Sequence, residues 1–267
     1  MEKYSGRAKM FRALLPWMIP VGLVLVWVAM SQTGIFPGYL IPHPMDIMKM
    51  CYSYMFHDLG SSPYAGRFVT DASASAVRVS VGFTSAILFG LPLGILSGRL
   101  TLVNALLNNV VNGLRAVPGI TWLPLAMVWF GIGTSTTVFL VALAAFFPIY
   151  LNAAAGARQI NPLLLQAGAM MGVKRLRGTF RILLPGAMPH IVTGLRLGLG
   201  ISWAYLVLGE LTGVPNGLGA VIMDARMLGR VDMIVVGMML IAVIGRLSDR
   251  LLIGGLKLCF KSAKTMS

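Results

Sequence analysis

Long apolar runs alternate with short polar or basic segments along this chain. One run without charged residues extends from Ala13 to the residue before Asp46, and another extends from Ala116 to Ala157. A helix that crosses the hydrocarbon core of a bilayer needs about 20 apolar residues. The pattern therefore predicts an all-α integral membrane protein with six transmembrane helices, near residues 14–31, 77–98, 112–130, 136–156, 190–211 and 233–252.

Small residues recur at helical spacing inside two of these runs. The second predicted crossing carries Gly82, Ala86, Gly90, Gly94 and Gly98, each four residues from the next. Small residues at this spacing let helices approach closely in lipid. We therefore expect the second crossing to pack tightly through this face. Prolines at 118 and 124 are expected to kink the third crossing, and the glycine-rich turn at 131–134 to end it.

The charged residues give the orientation. The chain has 22 Lys and Arg residues against 8 Asp and Glu residues, a formal net charge of +14. In a soluble protein this excess would suggest nucleic acid, but here the charges lie between apolar runs, and no nucleic-acid partner is predicted. Most of the basic residues fall on the side that holds the N-terminus if there are six crossings. The positive-inside rule then places both termini in the cytoplasm.

The same orientation places a basic segment, residues 161–185, in the cytoplasm. Asn161 is a good helix N-cap, and Pro162 suits the first helical position. Gly172 is placed to end that helix, and a second, basic amphipathic helix is expected to follow and to stop at Pro185. From the residues alone, two interpretations stay open: a docking site for another protein, or a helix pair lying on the membrane surface.

This segment resembles the cytoplasmic loop of permeases of ATP-binding-cassette (ABC) importers. That loop reads Glu-Ala-Ala, three residues, Gly, nine residues, then Ile-x-Leu-Pro. The matching positions here are Gln166, Ala167, Gly168, Gly172, Ile182, Leu184 and Pro185. Gln166 replaces the family's Glu and Gly168 its second Ala, so a salt bridge from position 166 is lost while a hydrogen bond remains available. The resemblance implies an ATPase-coupling loop that also includes Asn161, Leu165 and Met171.

Further motifs between residues 41 and 252 resemble the nitrate, sulfonate and taurine branch of type I importers. They are Leu-Ile-Pro-His-Pro at 40–44, Arg-Ala-Val-Pro at 115–118, Trp-Leu-Pro at 122–124, Trp-Phe-Gly-Ile-Gly at 129–133 and Gly-Leu-Arg-Leu-Gly at 194–198. The resemblance implies a multi-pass subunit of the bacterial inner membrane. Its implied partners are a second permease copy in a homodimer, a cytoplasmic ABC ATPase dimer and a periplasmic or lipid-anchored solute-binding protein.

We expect three regions. Residues 1–70 hold the first transmembrane helix and an external amphipathic segment. Residues 71–254 form the core permease domain, with the cytoplasmic loop at 158–189, and residues 255–267 form a basic cytoplasmic tail.

The sequence shows no motif for catalysis. No G-x-x-x-x-G-K-[ST], G-x-S-x-G or H-E-x-x-H pattern is present, so we predict no catalytic residue, no cofactor, no metal site and no ATPase site of its own. The residues singled out as lining a pathway or as structural are Trp122, Trp129, Arg196, Trp203 and Glu210. Ionisable residues in membrane segments are often functional. Near a helix end, however, Glu210 can equally be solvated or bond the loop at 213–219.

The prediction is therefore a permease that imports a small solute, with an oxyanion such as an aliphatic sulfonate, taurine or nitrate as the expected cargo. Three alternatives stay open: a secondary transporter driven by an ion gradient, a permease of the same fold that imports a vitamin precursor or an aromatic acid, and a membrane-embedded enzyme or scaffold.

Overall fold

The computed structural model describes residues 3–33, 37–38, 40–57 and 63–259, and this part of the chain is helical without any strand. The helices are α1 (Lys3–Gln32), α2 (Pro44–Phe56), α3 (Phe68–Arg99), α4 (Thr101–Ala116), α5 (Trp122–Phe130), α6 (Thr134–Gln159), α7 (Pro162–Met170), α8 (Arg175–Gly178), α9 (Leu184–Glu210), α10 (Leu218–Met227) and α11 (Val231–Cys259). A 3₁₀ turn at Gly119–Thr121 precedes α5, and a π turn at Thr179–Leu183 joins α8 to α9. The all-α prediction is confirmed.

Four helical stretches in the described residues are long and apolar enough to cross a membrane. They are Phe68–Arg99, Thr134–Gln159, Thr179–Glu210 and Val231–Leu258, and they correspond to the predicted second, fourth, fifth and sixth crossings. A fifth is present if α4 and the segment Gly119–Phe130 count as one broken span. The total of six and the side of each terminus remain predictions.

The predicted kink at Pro118 is present as a break in the helix, but the bounds of the third crossing differ from the prediction. Instead of one kinked helix over 112–130, α4 begins at Thr101, and the chain then bends by 86° into Gly119–Phe130. Pro118 disfavours the helical conformation for the residue before it. Val117 accordingly adopts φ −71° and ψ 120°, which ends α4. The predicted turn after this segment is present, with positive φ at Gly131 and Gly133.

The chain divides into two compact units. Residues 1–67 with 224–236 form one, and residues 68–223 with 237–267 form the other. In the first unit, Pro44 occupies the first turn of α2, and His43 caps the helix by accepting a hydrogen bond from the Met45 amide. Tyr54 and Tyr64 are buried in this unit.

The second unit has its core where α6 packs between α3 and α9. The glycines on α3 make this approach possible: a Cβ at Gly94 would lie 2.5 Å from the Tyr150 carbonyl oxygen, and one at Gly98 would lie 2.5 Å from the Ala154 carbonyl oxygen. On the other side of α6, a Cβ at Gly194 would lie 2.7 Å from Asn152 Cβ. The predicted tight packing of the small-residue face is confirmed.

The sequence predicted that Pro185 would stop the helix before it, and this prediction was wrong. Helical backbone runs without interruption from Arg175 through the π turn into α9. Pro185 lies in the first turn of α9, directly after the π turn. The Leu184 amide bonds the Thr179 carbonyl, five residues back, so the wider turn accommodates the proline.

Candidate functional site

The segment 161–185 folds as its local sequence predicts up to Gly172. The Asn161 side chain accepts a hydrogen bond from the Leu163 amide, and Pro162 occupies the first turn of α7. After α7, Gly172 adopts φ +77°, a left-handed backbone conformation that residues other than glycine rarely adopt. The chain therefore reverses at Gly172 and returns along α8 and the π turn.

Two elements of this segment pack against each other through a glycine. Gly168 is buried, and a Cβ there would lie 2.5 Å from Ile182 Cδ1. The Val173 amide bonds the Gly168 carbonyl at 2.9 Å, which closes the turn. The substitution of Gly168 for alanine, noted in the sequence, therefore allows Ile182 to pack directly on the α7 backbone.

The other predicted loop residues lie mostly at the surface. Gln166, Ala167 and Met171 are exposed, whereas Leu165, Leu184 and Pro185 are half-buried. The exposed set also contains large apolar side chains that sequence analysis did not single out, with Met170 91% exposed; the others are Leu163, Leu164 and Phe180. Together with Met171 we call them the loop apolar surface. Lys174, Arg177 and Arg181 are exposed on the same segment.

A buried polar network lies at the far end of α9. The Glu210 side chain is fully buried, and its Oε1 lies 2.7 Å from Arg78 Nη1 on α3. Ser75 donates to Glu210 at 2.8 Å, and the Gly219 amide donates to Oε2 at 2.8 Å. Glu210 therefore bonds the loop that follows it and is not solvated.

Arg78 and its neighbours on α3 attach the same loop. Arg78 donates to the Asn216 carbonyl at 2.6 Å and to Asn216 Oδ1 at 3.0 Å. The Gly217 amide bonds Asp71 Oδ1 at 3.0 Å, and the Leu218 amide bonds Ser75 Oγ at 2.9 Å. We call Asp71, Ser75, Arg78, Glu210 and the loop 216–219 the outer network.

Sequence analysis did not identify this role of Arg78. The spacing of Asp71, Ser75 and Arg78 puts all three on one face of a helix, which was the available signal.

The predicted pathway residues do not form one site. Trp122 lines a cavity of about 220 Å³ together with Arg115, Gly119 and Tyr205. Trp129 instead belongs to an aromatic group with Phe130 and Phe139, at centroid distances of 6.3 and 6.0 Å.

Trp203 and Arg196 lie on α9 and bond α11. Trp203 is buried, and its Nε1 donates to Ser248 Oγ at 3.0 Å. Arg196 makes a two-pronged ion pair with Asp249, from Nε at 3.0 Å and from Nη2 at 3.2 Å. Among the described residues, no group of three His, Cys, Asp or Glu side chains is placed to hold a metal ion.

Comparison with known proteins gives a family match over most of this second unit. The profile of the binding-protein-dependent transport system inner membrane component matches residues 90–252.

Individual relatives match a larger share of the chain. The taurine transport system permease of Escherichia coli K12 is 31% identical, over 85% of this chain and 82% of the relative. The putative aliphatic sulfonates transport permease of Bacillus subtilis 168 is 32% identical, over 91% and 87%. The nitrate import permease of Synechocystis PCC 6803 is 29% identical, over 85% and 82%.

A solved structure shares the fold. The MetNI methionine ABC transporter, in an inward-facing conformation, contains a chain that superimposes with a TM-score of 0.58 at 21% identity. The match covers 72% of this chain and 97% of that chain.

Proposed function

Because the chain belongs to the family of binding-protein-dependent transport system inner membrane components, we propose that it forms the solute pathway of an importer powered by a separate ATPase bound at the loop apolar surface. Members of this family are transport components of the inner membrane and not catalytic subunits. The sequence contains no G-x-x-x-x-G-K-[ST] motif, which supports an ATPase on a separate subunit as the energy source.

The loop apolar surface is the observation that carries this proposal. Exposed clusters of large apolar side chains mark protein–protein contacts. Here they lie on a short, capped helix and the turn after it, flanked by the basic side chains of Lys174, Arg177 and Arg181. A cytoplasmic protein with an apolar groove and an acidic rim is the matching partner, and the ATPase dimer of such an importer is proposed to supply it.

The remaining partners follow from the same family. We propose a second copy of this chain across the pathway and a solute-binding protein on the outer side. The relatives named for taurine, aliphatic sulfonates and nitrate handle solutes that bear a small oxyanion group. This supports an oxyanion as the cargo.

The test replaces one residue of the loop apolar surface. Met170→Asp puts a charge where a buried contact with the ATPase is expected. The lost burial alone is worth about 1.5–3 kcal/mol, so ATPase binding should weaken at least about tenfold. The matched control is Met227→Asp, because Met227 is also highly exposed but lies on α10. Both variants are assembled with the ATPase and the binding protein, and uptake of labelled taurine, ethanesulfonate and nitrate is measured.

We expect Met170→Asp to abolish co-purification of the ATPase and ATP-driven uptake, with normal membrane insertion, and Met227→Asp to preserve both. Retained ATPase binding and uptake in Met170→Asp would refute the docking site. Uptake by the chain alone under an ion gradient would instead identify a secondary transporter.

A further inference from the structure

Four charged side chains lie together on two membrane-spanning helices. Arg196 on α9 pairs with Asp249 on α11, and Arg246 donates to the same carboxylate at 3.3 Å. Arg250 follows Asp249 directly and is exposed. We call Arg196, Arg246, Asp249 and Arg250 the α9–α11 charge cluster.

This cluster lies far from the helix ends. At 1.5 Å per residue, roughly 21 Å of helix separate Arg196 from Glu210. Arg246 lies near the middle of α11, with roughly 20 Å of helix on either side. Both helices are longer than the roughly 30 Å hydrocarbon core, so depth is taken from the predicted crossings 190–211 and 233–252. Arg196 and Arg246 each lie six residues, roughly 9 Å, from the predicted cytoplasmic end of their crossing, so we expect both inside the hydrocarbon region.

The side chains are nonetheless exposed on the surface of the chain. Arg196 is 47% exposed and Arg246 is 64% exposed. Charged groups at this depth are costly against lipid and almost always face water or another protein segment. This face of α9 and α11 therefore adjoins a polar compartment.

A groove runs along the same face. Its central part has a volume of about 390 Å³ and is lined by Thr193, Arg196, Gly200, Gly245 and Asp249. A second part of about 320 Å³ shares Thr193 and Arg196 and extends to Lys257, near the end of α11. The groove thus leads from Arg196, in the middle of the helices, to Lys257 near the end of α11.

The groove is positively charged and has donors to spare. Its lining carries two basic side chains, Arg196 and Lys257, against the single carboxylate of Asp249. Asp249 accepts from Nε and Nη2 of Arg196, which are two of the five N–H donors of a guanidinium. The remaining donors of Arg196 are oriented by a fixed, two-pronged pair and are available to an anion.

We propose that this groove is a water-filled anion site of the transport pathway, in which Arg196, positioned by Asp249, contacts the oxyanion group of the solute. The proposal rests on the import function proposed above and adds the residues and the charge that select the cargo. A lipid chain or a packed protein surface in the same place are the outcomes that the experiment must exclude.

The experiment measures water access and electric potential directly, without solute or ATP. Cys51 and Cys259 are first replaced by serine, and Gly200→Cys is introduced as a reporter. Gly200 lines the groove, and a Cβ there meets no atom within 4 Å, so the reporter does not disturb packing. The full transporter in membranes is treated with an anionic reagent, sulfonatoethyl methanethiosulfonate, and with its cationic trimethylammonioethyl analogue. Leu88→Cys, at an exposed leucine of α3, gives the background for a lipid-facing position.

We expect the anionic reagent to modify Gly200→Cys faster than the cationic one, relative to their rates with a free thiol. Arg196→Gln should lower this anion-to-cation ratio about tenfold, the effect of one unit charge about 6 Å from the reagent in water. Asp249→Asn should change the ratio in the opposite direction, which protects the test against a simple folding defect.

Labelling of Gly200→Cys no faster than that of Leu88→Cys would show that lipid or protein fills the groove and would overturn the proposal. Equal rates with both reagents, or a ratio unaffected by Arg196→Gln, would also overturn it. Failure of ATP-driven uptake in the unmodified chain would instead refute the import function and leave the labelling result intact.

Discussion

Replacing Arg78 with methionine tests whether the outer network holds the second unit together. Arg78 and Glu210 are both almost fully buried, and Nη1 and Oε1 lie 2.7 Å apart. Methionine keeps the apolar stem of the arginine but removes its charge and its donors. The Glu210 carboxylate then stays buried without its counter-charge.

The structure sets the size of the effect. Removing one partner of a buried ion pair typically costs about 3–5 kcal/mol of unfolding free energy. Ser75 and the Gly219 amide still donate to Glu210 after the change, which favours the lower end, about 3 kcal/mol. Glu210→Gln keeps the shape but leaves the buried Arg78 guanidinium without its counter-charge. Arg78 still donates to the Asn216 carbonyl and side chain, which again favours the lower end, about 3 kcal/mol. The double variant removes both charges of the Arg78–Glu210 pair, so neither is left buried without the other, and it should cost about 1–3 kcal/mol less than the sum of the two single variants.

The measurement is reversible unfolding of the purified chain in mixed detergent micelles, followed by tryptophan fluorescence. Arg99→Met is the matched control, since Arg99 is an exposed arginine at the end of the same helix, and its change should stay within about 0.5 kcal/mol. A loss for Arg78→Met no larger than for Arg99→Met, or strict additivity in the double variant, would refute the reasoning.

Two further predictions concern helix packing and a thiol. Gly94→Ala should lower the free energy of unfolding by about 1–3 kcal/mol in the same assay, because its Cβ would lie 2.5 Å from the Tyr150 carbonyl oxygen and 2.8 Å from Ala153 Cβ. The control is Gly113→Ala, where a Cβ meets nothing within 4 Å, and it should be neutral or slightly stabilising. Equal effects of the two variants would contradict the packing argument. Burial raises the pKa of the Cys51 thiol, so at pH 8 a smaller fraction of it is thiolate than in a free cysteine. Iodoacetamide should therefore modify Cys51 more slowly than free cysteine and reach its full rate only at a higher pH, which mass spectrometry would measure. Equal rates for Cys51 and free cysteine would contradict this prediction.

Local signals predicted the helices and the start of the candidate loop well. Asn161, Pro162 and Gly172 act through their own backbone or the next few residues, so their roles are readable from the sequence. The glycines of α3 were readable for the same reason, because a four-residue period defines one helix face.

Long-range partners were not readable from the sequence. Arg78 and Glu210 lie 132 residues apart, and no local pattern indicates that they meet. Two prolines also behaved differently from one another. Pro118 precedes an 86° bend, whereas Pro185 lies within a continuous helical run, since the π turn before it accommodates the missing donor. Proline alone therefore does not predict whether a helix ends or continues, because the backbone conformation before it differs between the two positions.

The uninterrupted helical run from Arg175 to Glu210 is roughly 54 Å long and connects the loop apolar surface to the outer network. Its near end belongs to the segment proposed to touch the ATPase, and its far end is fixed to the loop 216–219 through Glu210 and Gly219. If the ATPase tilts this helical run at the end that we propose it contacts, the end that holds the loop 216–219 moves as well, and α6, which packs along α9, is the element about which it would pivot. The five residues of the π turn lie between these two ends, and π turns inside α-helices occur frequently at functional sites.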